Sequence, residues 1–592
     1  MKRMKKFASI LLALAMVLGM SLTAFATELN DPSGDPGEMQ GQPTTPSTGE
    51  TATFAGELDK IISVAGLQVG DSVNFYKVLE ESQNVGSNGW APTEVFSTAL
   101  TKEEWEEVIG NKETKGAISS DVAGKLGKAV TTDITAAYSE TVAEGANKIE
   151  ITRNLTAGLY MAIITPAKPD YTYNPVFVAA DYYANSSNTI TLEVGQLSYS
   201  NNAIAKVTKV GLEKIASKKD DSQPETVGVG DKVSFTITTT IPGFADNYTN
   251  PVFKVTDKLS EGLELDTNSI KITDPEDLTL DSHYEIPEGT LSKKGFTLSF
   301  KATYLKGLSG ATPVVITYDA IVTSEAPSSV NQETNEVTIN FSNSPDDTEG
   351  HGVLKDKTNH YTFDIDGTLF GEDSYKVTEM VKVGVDKDGN EIKDKVELSN
   401  GKVVGALGGA EFKLYASEEE AKKEDGTPYT NKHFDGKVIS GEDGRMTIKG
   451  LDAGKYWLKE TKAPDGYIKA QGLIEIEIVA EIDKDVSVTE TTDDGKEVTY
   501  KTNVLKSYYV TINGKKTAEY TITNESDTLK SVDKGDVEGD GVNPEDGKIK
   551  NTQGVELPST GGIGTTIFYV VGAILVIGAG ILLVVKKRMS NR

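Results

Sequence analysis

The sequence contains no cysteine in 592 residues and only four histidines. No disulfide can form, so a chain of this length depends on its hydrophobic cores or on another kind of cross-link. The same absence excludes a cysteine nucleophile, and the scarcity of histidine leaves no histidine-rich metal cluster. There is also no phosphate-binding loop and no serine hydrolase constellation, so we expect no enzyme active site and no cofactor.

The amino terminus has the pattern of a secretory signal peptide, which we place at residues 1–26. Four basic residues precede an apolar stretch over 7–22, and the sequence AFA at 24–26 fits a signal-peptidase site. The mature chain would begin with a leader, residues 27–51, whose content of Pro, Gly, Thr and Ser is typical of a flexible linker.

The carboxyl terminus combines three features in order: the pentapeptide LPSTG, an uncharged apolar run and a short basic tail. The apolar run at 563–585 is long enough to cross a bilayer, and the basic residues of 586–592 would stay on the cytoplasmic side. This arrangement resembles the cell-wall sorting signal of Gram-positive surface proteins. The resemblance implies that a sortase cleaves after the threonine and transfers its carbonyl to an amine. The motif residues are Leu557, Pro558, Ser559, Thr560 and Gly561.

The mature chain is strongly acidic. The segments outside 27–560 hold eight of the 60 basic residues and none of the 89 acidic ones. The remaining 52 basic residues against 89 acidic ones leave a net charge of −37. Such a surface is soluble and repels polyanions at long range, which argues against nucleic acid and anionic membrane as partners.

Most of the mature chain alternates apolar and polar residues in short runs bounded by Gly, Asp and Asn, as in VSFTITTTI and NEVTINFSN. This period is typical of half-buried antiparallel strands. A helical pattern is found in few segments, namely 101–109, 121–138 and 417–423. We therefore predict an all-β chain of tandem immunoglobulin-like β-sandwiches with small helical insertions. The predicted domains are an amino-terminal domain at 52–202, a second domain at 203–346 and a third domain at 350–553.

The third domain contains YWLKETKAPDGY at 456–467, and the strand pattern LGGAEFKLY at 407–415 precedes it. Both resemble domains of Gram-positive pilins and the B-type repeats of the collagen adhesin (CnaB-type domains), in which the first motif is known as the E-box. Alternation places Glu460 on the same face as Tyr456 and Leu458, and we expect that face to be the inner one. A lone buried carboxylate is costly unless it is neutral or has a partner.

The resemblance implies that a lysine and an asparagine condense into an amide beside Glu460, with loss of ammonia and with Glu460 as proton shuttle. Burial lowers the pKa of such a lysine and raises that of the acid, so the neutral amine can attack the carboxamide. On the first strand we expect Lys382 or, as the alternative, Lys376. On the last strand we expect Asn551 or, as the alternative, Asn524.

The second domain carries a similar set of residues without an E-box. Lys214 lies at the head of its first strand in VGLEKIAS, and Asp257 lies in VTDKLSEGLEL, a setting that resembles the D2-type fimbrial isopeptide domain. The last strand supplies Asn335 in TNEVTINFSN, with Asn340 as the alternative. The resemblance implies an amide between lysine and asparagine with Asp257 as proton shuttle. The alternative is a sandwich of the same topology without a cross-link.

The junction between the first two domains offers an acceptor amine for the sorting reaction. Backbone pilins of this family carry a reactive lysine there, usually in a Tyr-Pro-Lys setting, whereas this junction reads SYSNNAIAKVTKVGLEK. The resemblance implies that Lys206, or alternatively Lys209, attacks the thioester on Thr560 of another copy. Because such a head-to-tail contact does not close on itself, the product is a fibre.

These features predict a major pilus shaft subunit, secreted and anchored to the cell wall on the surface of a Gram-positive bacterium. Its expected partners are a pilin-class sortase and a housekeeping sortase, further copies of itself, ancillary pilins, peptidoglycan and a host-surface ligand that the sequence does not identify. The alternatives are a monomeric wall-anchored adhesin and an ancillary base pilin, each using the same domains as a stalk.

Overall fold

The computed structural model describes residues 57–590 with internal gaps. The gaps are 83–88, 111–115, 132, 184–196, 198, 220–222, 245–247, 249, 327–330, 345–346, 368–377, 393–394, 398–402, 433, 493–494, 526–527, 535–543 and 555–562. The predicted signal peptide, the leader and the LPSTG motif lie outside the described residues.

The chain divides into two compact units. The first holds the described residues up to Thr362 with Ala480–Ser507 and Ile522–Ser531, and the second holds Phe363–Val479, Tyr508–Thr521 and the described residues from Val532 onward.

The amino-terminal part of the first unit consists of β-layers and two helices. Its elements are β1 (Glu57–Leu58), β2 (Ile62–Ala65), β3 (Ser72–Glu81), β4 (Trp90–Pro92), α1 (Lys102–Ile109), α2 (Ser120–Lys128), β5 (Tyr138–Thr141), β6 (Lys148–Ile151), β7 (Gly158–Thr165), β8 (Tyr171–Tyr173), β9 (Val176–Ala180), β10 (Tyr182–Tyr183), β11 (Asn202–Ile204) and β12 (Val207–Lys209). One layer has the strand order β11-β2-β6, and the other has the order β4-β3-β7-β9 with β5 against β3. Strand β7 is buried on both faces, because Tyr160 and Ala162 enter the core with β2 and β6 while Leu159 and Met161 pack towards the helices.

The two helices of this part begin at side-chain caps. Thr101 and Glu104 form a reciprocal capping box at the start of α1, where each side chain accepts the backbone N–H of the other residue. Helix α2 ends at Lys128, so the predicted helix over 121–138 is too long. From Tyr138 the chain pairs with β3 instead, and the β-branched residues before it favour an extended backbone.

The rest of the first unit contains a β-sandwich of two sheets. Its elements are β13 (Leu212–Lys218), β14 (Lys232–Ile241), β15 (Phe253–Leu259), β16 (Leu263–Leu265), β17 (Lys271–Asp274), β18 (Tyr284–Glu285), β19 (Gly295–Phe300), α3 (Ala302–Gly307), β20 (Thr312–Val322), β21 (Asn331–Phe341) and β22 (Gly352–Ile365). One sheet has the order β13-β14-β20-β16 with β17 also on β20, and the other has the order β18-β19-β15-β21-β22. Alternation along β20 points Val314, Ile316 and Tyr318 into the core between the sheets. The prediction of an all-β chain of sandwiches is confirmed.

Strand β22 extends the second sheet beyond the predicted end of the second domain at residue 346. It pairs with β21 in the antiparallel sense as far as Thr362. The carboxylate of Asp347 stabilises the tight return between the two strands, because it accepts backbone N–H groups from Asn343, Gly350 and His351. Alternation identifies a strand but does not say which sheet the strand joins, so the sequence pattern placed β22 in the third domain.

The second unit brings the first and last strands of the predicted third domain side by side. The remaining elements of the chain are β23 (Val381–Val385), β24 (Lys395–Glu397), β25 (Val403–Gly405), β26 (Glu411–Tyr415), α4 (Glu418–Lys422), β27 (Lys437–Ile439), β28 (Ile448–Leu451), β29 (Gly454–Lys462), β30 (Ile474–Thr491), β31 (Glu497–Ile512), β32 (Lys515–Glu525), β33 (Thr528–Lys534), β34 (Lys548–Thr552) and α5 (Ile563–Met589). Strands β23 and β34 are parallel neighbours, and β29 pairs with both β26 and β30. Helix α5 covers the predicted membrane segment and is long and apolar enough to cross a bilayer.

Within the first unit, Ala480–Ser507 packs against β22 of the β-sandwich. This segment contains the distal parts of β30 and β31, and we name it the extension. The Nδ2 atom of Asn359 donates to Thr502 Oγ1 at 3.2 Å and to the carbonyl of Asn503 at 2.9 Å. Thr502 Oγ1 donates in turn to the carbonyl of Lys357 at 2.7 Å. The sequence pattern had assigned these residues to the predicted third domain.

We expect the Asn359→Ala variant to loosen the extension. Asn359 is buried, and its loss leaves acceptors on the extension without their donor, which costs about 1–3 kcal/mol. Amide hydrogen exchange along β31 should therefore accelerate about tenfold or more, since local opening sets the exchange rate. The exposed Asn268 provides the control, because Asn268→Ala should leave exchange in β31 unchanged. Unchanged exchange in the Asn359→Ala variant would contradict the role given to these hydrogen bonds.

Candidate functional site

Three side chains meet inside the β-sandwich of the first unit. Lys214 lies on β13 of one sheet, whereas Asp257 on β15 and Asn335 on β21 lie on neighbouring strands of the other sheet. All three are buried, and the side chains of Lys214 and Asp257 have no exposed surface. The Lys214 Nζ donates to the Asp257 carboxyl and lies 2.6 Å from Asn335 Oδ1. The rings of Phe235 and Tyr318 lie 5.4 and 5.6 Å from the same nitrogen.

Burial determines the charge of this cluster. Removal from water lowers the pKa of the Lys214 amine, and it raises the pKa of the Asp257 carboxyl. The attraction between the two groups opposes both shifts but is smaller than the effect of burial. Burial therefore shifts both groups towards their uncharged forms, and the uncharged amine is the form that a nucleophilic lysine requires.

The structure distinguishes the two asparagines proposed on β21. Successive side chains of a strand alternate between its faces, so Asn335 shares the inner face with Val337 and Ile339, while Asn340 lies on the other face. Asn340 is half-buried, and its Nδ2 lies 3.4 Å from the carbonyl of Gly350. The geometry brings Asn335 to Lys214 and does not bring Asn340 there.

One polar group of this cluster, the hydroxyl of Tyr318, is not among the residues predicted from the sequence. Asn335 Nδ2 donates to this hydroxyl at 2.9 Å, and burial raises the pKa of the phenol well above its ordinary value. Tyr318 lies in the alternating run TPVVITYDAIV on β20, so its inward direction could be predicted. Nothing in that run separates it from an ordinary core tyrosine.

A second cluster of a lysine, an acid and an asparagine lies in the second unit. Lys382 on β23, Glu460 on β29 and Asn551 on β34 are all buried. Lys382 Nζ lies 3.5 Å from Glu460 Oε1, and Asn551 Nδ2 donates to Glu460 Oε2 at 2.9 Å. Asn551 Nδ2 also donates to the carbonyl of Ile468 at 2.8 Å, while the Phe412 ring lies 5.4 Å from Lys382 Nζ. Burial lowers the pKa of Lys382 to about 8, and the nearby Glu460 opposes this shift.

The parallel register of β23 and β34 explains how the second cluster forms. Lys382 is opposite Ile549, so Asn551 is the next residue of β34 whose side chain points to the same face. The alternative Asn524 lies on β32, and its Nδ2 donates to the carbonyl of Leu505 at 2.9 Å. The alternative Lys376 lies outside the described residues.

The proposed acceptor lysines lie at the junction after β11. Lys206 is exposed between β11 and β12, and the neighbouring Ile204 has 64% of its surface exposed. Lys209, on β12, is 3.6 Å from the carboxylate of Asp170. The carbonyl donor Thr560 lies outside the described residues. In the part of the chain that the structure describes, no three His, Asp or Glu side chains are placed to hold a metal ion.

Comparisons with known proteins agree with the β-sandwich fold and with the predicted cell-wall anchor. A SpaA-type prealbumin-like fold domain matches residues 394–496, and an LPXTG cell wall anchor motif matches residues 549–591. The trypsin-resistant surface T6 protein of Streptococcus pyogenes serotype M6 is 26% identical over 464 residues, which cover 73% of this chain and 79% of that protein.

Two solved pilin structures are also similar. The T6 backbone pilin of Streptococcus pyogenes serotype M6 aligns with a TM-score of 0.49 and 19% identity, over 86% of this chain and 100% of that chain. The major pilin SpaD of Corynebacterium diphtheriae aligns with a TM-score of 0.40 and 18% identity, over 72% of this chain and 91% of that chain.

An anchor motif at the end of a chain of β-sandwiches defines a surface protein that a Gram-positive bacterium holds at its cell wall. The prealbumin-like domain and the relationship to the T6 protein narrow this class. The three matches together support a Gram-positive pilin with an LPXTG anchor, held at the cell wall on the bacterial surface. The family is a structural one, and the predicted resemblance is confirmed.

The lowered pKa of Lys382 predicts a pH dependence of stability in the Asn551→Ala variant, in which this lysine has no carboxamide partner. The folded-state pKa of about 8 lies below the ordinary lysine value of about 10.4, so the unfolded chain binds the proton more tightly. The free energy of unfolding should therefore rise as the pH increases from 8 to about 10.4. Urea unfolding midpoints across this window measure the effect.

The Lys382→Met substitution in the Asn551→Ala background is the control for this titration. Methionine fills a similar volume without a titrating amine, so this double variant should lose the rise in stability. The same pH dependence in both proteins would show that Lys382 does not titrate in this window.

Proposed function

We propose that this pilin is a shaft subunit, which forms a covalent head-to-tail fibre and closes two of its own domains with internal amide bonds. The observation that carries the proposal is the pair of buried lysine–acid–asparagine clusters, each joining strands at the two ends of a domain. Lys214 and Asn335 lie on β13 and β21, and Lys382 and Asn551 lie on β23 and β34. Burying a lysine and an acid in an apolar core without such chemistry would cost each domain free energy of desolvation.

The internal reaction needs no cofactor. The unprotonated lysine amine attacks the asparagine Cγ, the new C–N bond forms, and the bond from Cγ to Nδ2 breaks. The amine loses one proton to the neighbouring acid, and the departing nitrogen gains one and leaves as ammonia. Asp257 serves the first cluster as this acid and Glu460 serves the second. Each cluster reacts once, so the protein modifies itself and does not turn over a substrate.

The fibre joint uses two groups that take no part in the internal bonds, the Thr560 carbonyl and the Lys206 amine. A pilin-class sortase attacks the Thr560 carbonyl with its thiol, which breaks the bond to Gly561 and forms a thioester. The Lys206 amine of another copy then displaces the thiol and forms the inter-subunit amide. The exposure of Lys206 at the junction supports this assignment. Transfer of the last Thr560 carbonyl to a peptidoglycan amine by a housekeeping sortase would anchor the fibre.

The domain plan that we propose follows the order of the sequence. After removal of residues 1–26 and a leader at 27–51, an amino-terminal domain at 52–202 would precede the second domain at 203–346. The third domain at 350–553 would precede the sorting motif. Because β22 pairs with β21 as far as Thr362, the second domain is better extended to that residue.

Intact-mass measurement of the full-length chain tests the internal bonds. Each bond releases one ammonia, so each should lower the mass by about 17 Da. We expect two losses in the wild type and one in each of the variants Asp257→Ala and Glu460→Ala, which serve as controls for each other. Peptide mapping should assign the missing bond to the altered cluster. A wild-type chain at its unmodified mass would refute both bonds.

A blot of cell-wall extracts tests polymerisation. Wild-type cells should show a ladder of high-mass species, and Lys206→Ala should reduce it to a single wall-linked band because the acceptor amine is gone. Lys209→Ala is the matched control and should keep the ladder. A single band in the wild type would favour the monomeric adhesin, and a ladder retained by Lys206→Ala would move the joint to another amine.

A further inference from the structure

The hydroxyl of Tyr318 touches the nitrogen that the first internal bond has to expel. Asn335 Nδ2 donates to this hydroxyl at 2.9 Å, and in the proposed reaction that nitrogen leaves as ammonia. The Tyr318 ring is held in place on both sides, because it stacks on Phe235 at 5.3 Å and meets the edge of Phe296 at 5.1 Å. The hydroxyl is therefore fixed against the leaving group inside a core that excludes water.

The two clusters differ in what contacts the leaving nitrogen. In the second cluster, Glu460 spans both reactants, since one of its oxygens faces Lys382 and the other accepts from Asn551 Nδ2. In the first cluster, the carboxyl of Asp257 contacts Lys214 through Oδ2, and its Oδ1 makes no hydrogen bond. The shorter aspartate serves the lysine side only. The Tyr318 hydroxyl occupies the position on the asparagine side that the second glutamate oxygen occupies in the other cluster.

The hydroxyl also lies close to the acid. The charge of Asp257 raises the pKa of Tyr318, after the larger contribution of burial. Lys214 Nζ contacts both Asp257 and Asn335, and Asn335 in turn contacts the Tyr318 hydroxyl. A phenol can accept a proton on its oxygen while it donates its own, so it can pass a proton between two neighbours without becoming charged. One cluster in the core thus holds Lys214, Asp257, Tyr318 and Asn335.

We propose that Tyr318 is a catalytic residue of the first internal bond and delivers the proton on which the departing ammonia leaves. The inference rests on the proposed function of this cluster. Asp257 passes its proton to the Tyr318 oxygen while the Tyr318 hydroxyl gives its own proton to Asn335 Nδ2, and the attacking Lys214 amine then gives one proton to the Asp257 carboxylate. The bond from Cγ to Nδ2 then breaks, ammonia leaves, and Asp257 and Tyr318 return to their initial protonation states.

The test follows bond formation in the full-length chain during cell-free synthesis. Samples are quenched over time, and the linked tryptic peptides that contain Lys214 and Asn335 are quantified by mass spectrometry. General acid catalysis contributes roughly 100-fold or more, so Tyr318→Phe should slow this bond by about that factor. The bond between Lys382 and Asn551 in the same molecules should form at the wild-type rate.

Two further variants separate proton transfer from packing. Tyr304→Phe removes a half-buried hydroxyl from the same domain and should leave the rate unchanged. A fluorinated tyrosine placed at position 318 keeps the shape and hydrogen bonds of the side chain but makes its hydroxyl more acidic, so the rate should change several-fold if Tyr318 transfers a proton. The variant with fluorinated tyrosine also tests the proposal if Tyr318→Phe fails to fold.

The outcomes distinguish this inference from the proposed function on which it rests. Wild-type bond formation with an equally fast Tyr318→Phe variant would overturn the role of Tyr318 and leave the amide itself in place. An unchanged rate with the fluorinated residue would overturn it as well. Absence of the linked peptides from the wild type would refute both the bond and its catalyst.

Discussion

The structure depends on the enclosure of two lysine side chains within apolar β-sandwich interiors. A charged ammonium at either position would lose its hydration without full compensation, and that cost amounts to several kcal/mol. Burial therefore lowers the pKa of both lysines, and at the first cluster it also raises the pKa of the neighbouring Asp257 carboxyl. The same desolvation that would destabilise an unreacted domain makes the amine a nucleophile. Formation of an amide removes the ionisable amine, so the proposed reaction turns an unfavourable burial into a stable core.

The positions of the two clusters determine how the proposed amides would affect the response of the chain to force. An amide from Lys214 to Asn335 would close a loop that spans 121 positions. By analogy with a disulfide, such a loop removes roughly 4–5 kcal/mol of unfolded-state entropy. In a fibre under tension, the path of the force matters more than this entropy. The force would run through covalent bonds between strands at the two ends of each domain. The sequence has no cysteine with which to make a comparable link. The extension adds noncovalent contacts, among them hydrogen bonds and ion pairs, which can open and close without breaking the chain.

Local pattern and family resemblance contributed differently to the predicted site. Alternation is enough to point Glu460 inward, whereas the resemblance to isopeptide-forming domains supplied Lys214, Asn335, Lys382 and Asn551 and left alternatives open. Other features need contacts between distant parts of the chain. Tyr318 is one inward tyrosine among several, and only its distance to Asn335 separates it from the rest. The pairing of β22 and the docking of the extension depend on which sheet edge a strand joins, and periodicity carries no information about that choice. Helix α2 ends at Lys128, well before the strand that begins at Tyr138 and pairs with β3.

Pulling single full-length molecules from their two ends tests the central claim most directly. If the internal amides form, the residues between Lys214 and Asn335 and those between Lys382 and Asn551 add no length at any force that leaves covalent bonds intact. The claim predicts that the force–extension curves contain steps only from segments outside these two loops. A step of roughly 400 Å, the extended length of the 121 positions between Lys214 and Asn335, would contradict it.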